Sequence, residues 1–85
     1  MKIGIAGSLE SNDVLVTVRP SDKLIIDIHS IVDLLFHDQI ESVVRETLKE
    51  KSIDKLEVTI EDKGALDYTI RARLLTAIRR MGDAK

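Results

Sequence analysis

Eighty-five residues, 44% hydrophobic and 33% charged, suit one soluble globular domain with a modest core and no deep substrate cavity. The formal net charge of −2 lacks the basic excess of a nucleic-acid binder, and the aromatic complement of Phe36 and Tyr68 leaves almost no platform for stacking bases. The absence of cysteine excludes disulfides, thiolate chemistry and Cys-based zinc sites; no apolar run approaches the ~20 residues of a membrane span and no signal peptide is visible, so the expected location is the cytoplasm.

Residues 1–5 are open between a short strand and a loose arm. Residues 6–13, Ala-Gly-Ser-Leu-Glu-Ser-Asn-Asp, offer two hydroxyls, Ser8 and Ser11, beside two carboxylates. Such a segment can be a passive turn, a helix cap or a modification site, and its residue types favour the turn or cap. Residues 14–19 alternate, Val14, Val16 and Val18 against Leu15, Thr17 and Arg19, and predict a strand. Pro20, Ser21, Asp22 and Lys23 carry turn chemistry, and residues 24–29 alternate again, so the two strands are expected to form a hairpin.

Residues 30–37 are ambiguous between strand extension and helix entry. The period then changes: Phe36, Ile40, Val43, Val44, Thr47 and Leu48 share one helical stripe, and Asp38 with Glu41 resembles a cap. Residues 55–61 alternate, with Leu56, Val58 and Ile60 facing inward. After a turn at Asp62, Lys63 and Gly64, a last helix is expected with Leu66, Ile70, Leu74, Ala77, Ile78 and Met81 as its apolar stripe and Gly82 as its stop. This order predicts an α+β two-layer sandwich, β-β-α-β-α, in which a three-stranded, mainly antiparallel sheet carries two helices on one face. The first strand is placed between the other two as half of a split βαβ arrangement, with a right-handed crossover. The chain reads as a single domain, 1–85, with a flexible segment over about 1–13.

No catalytic constellation is legible. His29 falls on an outer strand face and His37 near a helix start, without the ligand count a metal site needs. Glu57, Glu61, Asp62 and Asp67 read as solvated, with helix capping the expected role of Asp62. Arg71 and Arg73 lie about 200° apart on a helix and cannot form one patch, so the arginines of the last helix read first as salt-bridging and solubilising groups. Neither a Ser-His-Asp order, a P-loop nor a dinucleotide glycine pattern is present, and a standalone enzyme is not expected.

Two blocks carry a resemblance. Ala-Gly-Ser-Leu-Glu-Ser-Asn-Asp at 6–13 resembles the Ala-Gly-Thr-Leu-Glu-Ser-x-Asp signature of the citrate lyase acyl carrier (γ) family. Asp-Lys-Gly-Ala-Leu-Asp at 62–67, followed by Arg-Ala-Arg-Leu at 71–74, resembles a second block of that family, and Phe36, Asp38 and Ile40 fit its middle. The likeness spans nearly the whole chain. It implies a non-catalytic carrier subunit bearing 2'-(5''-phosphoribosyl)-3'-dephospho-CoA, joined by a phosphodiester to the serine of Leu-Glu-Ser, here Ser11. The arm's thiol would hold acetyl and citryl while citrate is cleaved to acetate and oxaloacetate. The implied partners are an α subunit (acyl transferase), a β subunit (lyase) and a prosthetic-group transferase, with neither nucleic acid nor membrane.

Ser8 stands where the family more often has Thr and is the second candidate hydroxyl, because Gly7-Ser8-Leu9 faintly resembles the Asp-Ser-Leu motif of ordinary phosphopantetheine carriers. Those are helical bundles, whereas strands follow here, and Ser11 is preferred. Tyr68 and His37 replace a common Cys and Gly. The malonate decarboxylase carrier, with the same kind of group, is the near alternative, and a non-catalytic interaction module the distant one.

Overall fold

A computed structural model describes residues 2–31 and 34–83. Its elements run β1 (Gly4–Gly7), β2 (Val14–Arg19), β3 (Leu24–Ser30), α1 (Leu34–Glu50), β4 (Leu56–Asp62) and α2 (Asp67–Asp83). The α+β class holds, but the sheet has four strands, in the order β1-β2-β4-β3. β1 and β4 flank β2 antiparallel, and β3 pairs with β4 in parallel.

The expected three-stranded sheet with residues 14–19 in its middle therefore does not form. The β2–β3 hairpin is replaced by a gap that β4 fills, so β3-α1-β4 is an unsplit βαβ unit. Two strand spacings of about 4.8 Å separate β2 from β3, within reach of the four residues 20–23. That connection is itself fastened to the inserted strand, through the Leu56 N–H donated to the Lys23 carbonyl at 3.2 Å. Of the two readings of the N-terminus the strand holds, so residues 4–7 of the segment expected to be flexible belong to the sheet.

One sheet face is built in cross-strand rows. Ala6, Val16, Ile60 and Ile28 stand in register, as do Gly4, Val18, Val58 and Ile26. Ile40, Val43, Val44 and Leu48 of α1, with Ile70, Leu74 and Ala77 of α2, close over these rows to make one core. Both helices thus cover one face, and Thr17, Thr59 and the Arg19–Glu57 pair at 3.6 Å lie on the other. α2 lies close to β1 because residue 4 is glycine: a Cβ there would sit 1.8 Å from the Ala77 carbonyl oxygen.

Several local expectations are corrected. Ser30 ends β3, α1 begins at Leu34, and Val32 and Asp33 lie outside the described residues. Asp38 falls inside α1 and caps nothing at its start. Phe36 and Leu66, assigned to core stripes, are 56% and 59% exposed. α2 continues through Gly82 to Asp83. Asp62 is a buried strand end and not a helix cap. Its carboxylate accepts the Ala65 N–H at 2.9 Å and the Ser30 hydroxyl at 2.8 Å, fixing the β4–α2 turn to the end of β3. Among the described residues no helix is long and apolar enough to cross a membrane.

Leu74 is fully enclosed between α2 and the sheet. Leu74→Asp places an unpaired charge there and is expected to lower stability by about 4 kcal/mol or more. Urea unfolding monitored by circular dichroism checks this; a wild-type midpoint would remove Leu74 from the core.

Candidate functional site

The stretch with two hydroxyls becomes the loop of the β1–β2 hairpin. The hairpin closes with the Ser8 N–H donated to the Val14 carbonyl at 3.2 Å. Gly7 enters the loop at φ +96°, where a Cβ would meet the Val14 carbonyl oxygen at 1.8 Å and Arg73 Cδ at 3.3 Å. Residues 10–13 form a turn, with the Asp13 N–H donated to the Glu10 carbonyl at 3.1 Å. Asn12, in its third position, takes φ +66°, a conformation asparagine adopts more readily than most residues. Ser11 is the second residue of that turn.

The loop is anchored from two sides. The Asn12 N–H donates to the Lys63 carbonyl at 2.8 Å, and the Lys63 N–H donates to the Asp13 carbonyl at 2.9 Å, which pairs the loop with the β4–α2 turn. The second anchor is the Asp13 carboxylate. It accepts the Ser8 hydroxyl and the Val14 N–H, each at 2.7 Å, and two N–H groups of Arg73, each at 3.1 Å. Its side chain is only 17% exposed. These bonds hold the acid well below its ordinary 3.8, at about 2; the Ser8 hydroxyl is the largest cause, followed by the Val14 N–H and then Arg73.

The two candidate serines are thereby separated. Ser8 donates its proton to Asp13 and accepts the Glu10 N–H at 3.2 Å, so both capacities of its hydroxyl are engaged. Ser11 is exposed on the turn, and its hydroxyl bonds to none of the described residues. Among the described residues no carboxylate or imidazole hydrogen-bonds to it, so this loop offers it no general base. The large exposed apolar side chains include Leu9, Ile31, Phe36, Leu66 and Tyr68, all in connections or first helical turns at this end of the domain.

Of the remaining candidates Arg73 is brought to this site, whereas His29, His37 and Arg71 are not. His29 pairs with Asp27 at 3.0 Å, both exposed on β3, and His37 lies on α1. Arg71 turns to Glu50 and Arg73 to Asp13, as their angular separation requires. Among the described residues no group of three or more His, Cys, Asp or Glu could hold a metal. The Asp13–Arg73 pair is the feature of the candidate site that local residue patterns do not reveal. Its one signal in the chain is that Asp13 and Arg73 sit in the two separate blocks noted above, which meet here.

A family model described as "Malonate decarboxylase delta subunit (MdcD)", under the heading ACP, matches residues 1–81. The citrate lyase acyl carrier protein of Haemophilus influenzae (strain PittEE) is 49% identical over 82 residues, covering 96% of this chain and 86% of that protein. Its namesake in Streptococcus mutans is 47% identical over 83 residues, covering 95% and 81%. That of Albidiferax ferrireducens is 48% identical over 88 residues, covering 100% and 90%. Among solved structures, a chain of a Pseudomonas malonate decarboxylase hetero-tetramer in complex with malonate shares the fold, with a TM-score of 0.83 at 20% identity over 95% of this chain and 84% of that one.

A depressed carboxyl keeps the anchor fully formed above the unfolded value near 3.8 and weakens it as pH falls toward about 2. Carboxyl-carbon NMR is expected to give Asp13 a midpoint of about 2, and Ser8→Ala should move that midpoint upward. Exchange protection of the Asn12 and Asp13 amides should fade through the same window. An Asp13 midpoint at its ordinary value would refute the anchor.

Proposed function

Because the chain belongs to the citrate lyase acyl carrier protein family, we propose that it carries acetyl and citryl groups on 2'-(5''-phosphoribosyl)-3'-dephospho-CoA attached through a phosphodiester to Ser11. It is an acyl carrier, a non-catalytic subunit. The finer reading rests on one observation above all: the Ser8 hydroxyl is engaged by Asp13, whereas that of Ser11 is exposed and unengaged on an anchored turn. The site fits such a group, since a bulky anionic substituent needs open surface and Ser11 has it.

When bound, the group supplies the thiol that a chain without cysteine lacks. The chain's own part is to hold and present. Asp13, Ser8 and Arg73 fix the turn, the Lys63 backbone steadies its far side, and Ser11 provides the oxygen that another enzyme can reach. Tethering then makes each encounter of the arm with a partner active site effectively intramolecular. In this reading the partners are the α (acyl transferase) and β (lyase) subunits, after a prosthetic-group transferase, in the cytoplasm. The apolar side chains around the turn, Leu9, Leu66 and Tyr68 among them, give those partners a surface to meet.

The malonate decarboxylase carrier is the second reading, favoured by the description of the family model and by the structural neighbour. The relatives at 47–49% identity favour citrate lyase. Complementation of carrier-less citrate lyase and malonate decarboxylase assemblies distinguishes the two.

Co-expression with the modifying enzymes of a citrate lyase operon, followed by peptide mass spectrometry, tests the site. The tryptic peptide of residues 3–23 should gain the mass of the group, and fragmentation should place it on Ser11. Ser11→Ala should abolish the added mass while changing stability by no more than about 0.5 kcal/mol, as an exposed substitution does. Ser8→Ala should still be modified. Added mass on Ser8 would keep the carrier role and refute the residue.

A further inference from the structure

Beside the Ser11 turn lies a pocket of about 190 Å³ between the first turns of α1 and α2. We propose that it receives the neutral acetyl thioester end of the arm and turns the citryl thioester away. This rests on the reading of Ser11 above and adds a state of the carrier that depends on its cargo.

Location comes first. Asn12, the neighbour of Ser11, is bonded to the Lys63 carbonyl at 2.8 Å, and a Cβ built on Gly64 would lie 3.6 Å from Asn12 Oδ1. Gly64 is part of the pocket wall. The attachment turn and the pocket therefore share a boundary, and an arm leaving Ser11 needs only to fold back over it.

Size and chemistry then select the occupant. Sites for drug-sized ligands run from about 300 Å³ upward, so this volume suits the tip of an arm and not its whole length. Phe36, Ile40, Ala65 and Ile70 make the walls apolar. The polar groups are already partnered: Asp62 holds Ser30 and the Ala65 N–H, and Asp67 accepts Gln39 Nε2 at 2.6 Å. Gln39 keeps its Oε1 and a second N–H, which can meet the amide adjoining the thioester. Among the described residues no cationic side chain lines the pocket, and two carboxylates do. An acetyl group brings no charge. A citryl thioester brings two free carboxylates against Asp62 and Asp67, with no cation among the described lining residues to compensate them.

Tethering makes a weak site sufficient. A short tether gives effective concentrations on the order of millimolar, so a millimolar intrinsic affinity fills the pocket about half the time. In that state the thioester carbonyl is withdrawn from water, whose attack would break the C–S bond and release acetate and free thiol. Exchange of acetyl for citryl expels the tip and leaves the arm extended.

The test uses the full chain loaded at Ser11, with loading verified by mass. Amide NMR spectra are compared for the thiol, acetyl and citryl forms. Acetylation is expected to shift Gly64, Ala65 and Asp67, and the citryl form to return them to their thiol positions. Ala65→Leu, which fills the pocket, and Phe36→Ala, which removes an exposed wall, should each suppress those shifts. Both should shorten the acetyl thioester's lifetime on the isolated carrier by up to about twofold, the ceiling that half-occupancy sets. If Ala65→Leu loses the dispersed spectrum of a folded chain, Phe36→Ala decides. Shifts confined to residues 9–13, equal shifts for acetyl and citryl, or unchanged lifetimes in the folded variants would overturn the proposal. A carrier that gains no mass sinks the Ser11 reading and this one together; a loaded carrier without pocket shifts sinks this one alone.

Discussion

The insertion of β4 between β2 and β3 is the constraint on which the rest of the structure depends. Leu56, Val58 and Ile60 are almost fully buried, which an edge position on this small sheet would not provide. With β4 inside, its parallel partner β3 ends where β4 ends, and its antiparallel partner β2 begins there. The hairpin loop, the β3–α1 connection and the β4–α2 turn are thereby gathered at one end of the domain. The pairing that completes the core also assembles the site.

At that end one carboxylate organises the polar contacts. Asp13 joins a hydroxyl, a backbone N–H and a guanidinium from another element, so the turn carrying Ser11 is held without enlisting Ser11 itself. Ser at position 8 supplies the same kind of hydroxyl as the more common Thr, which gives that departure from the family pattern a physical account. The arrangement suits a non-catalytic carrier: firm support beneath, and above it an exposed hydroxyl that none of the described residues engages.

The core faces were legible in the chain because they rest on periods that local residues set. Val14, Val16 and Val18 alternate into the core, as do Leu56, Val58 and Ile60, and Ile40 to Leu48 and Ile70 to Ala77 follow the helical repeat. Strand order was not legible, because the alternation of β4 is the same beside one neighbour or between two. β1 was underestimated because it is four residues long and half glycine. Phe36 and Leu66 are apolar residues near helix starts that the tertiary arrangement leaves in solvent, and the burial of Asp62 depends on partners 32 residues back and three ahead. The pair of serines was visible, but their separation required Asp13 to be placed, and Arg73 lies 60 residues beyond it. The family resemblance marked both blocks without indicating that they touch.

That 60-residue span has a consequence for when the anchored turn exists. On a growing chain the hairpin loop is made well before the Lys63 backbone that braces it, and 60 residues before its guanidinium partner. Arg80, later still, binds the Ile5 carbonyl at 2.7 Å and secures the edge strand. Contacts so distant in sequence form only after the intervening loop has closed. The anchored turn is thus a property of the folded domain, and an unfolded chain displays Ser11 as a residue in a floppy peptide. A modifying enzyme that reads the shape of the turn would inspect the carrier's folding before committing a costly cofactor to it.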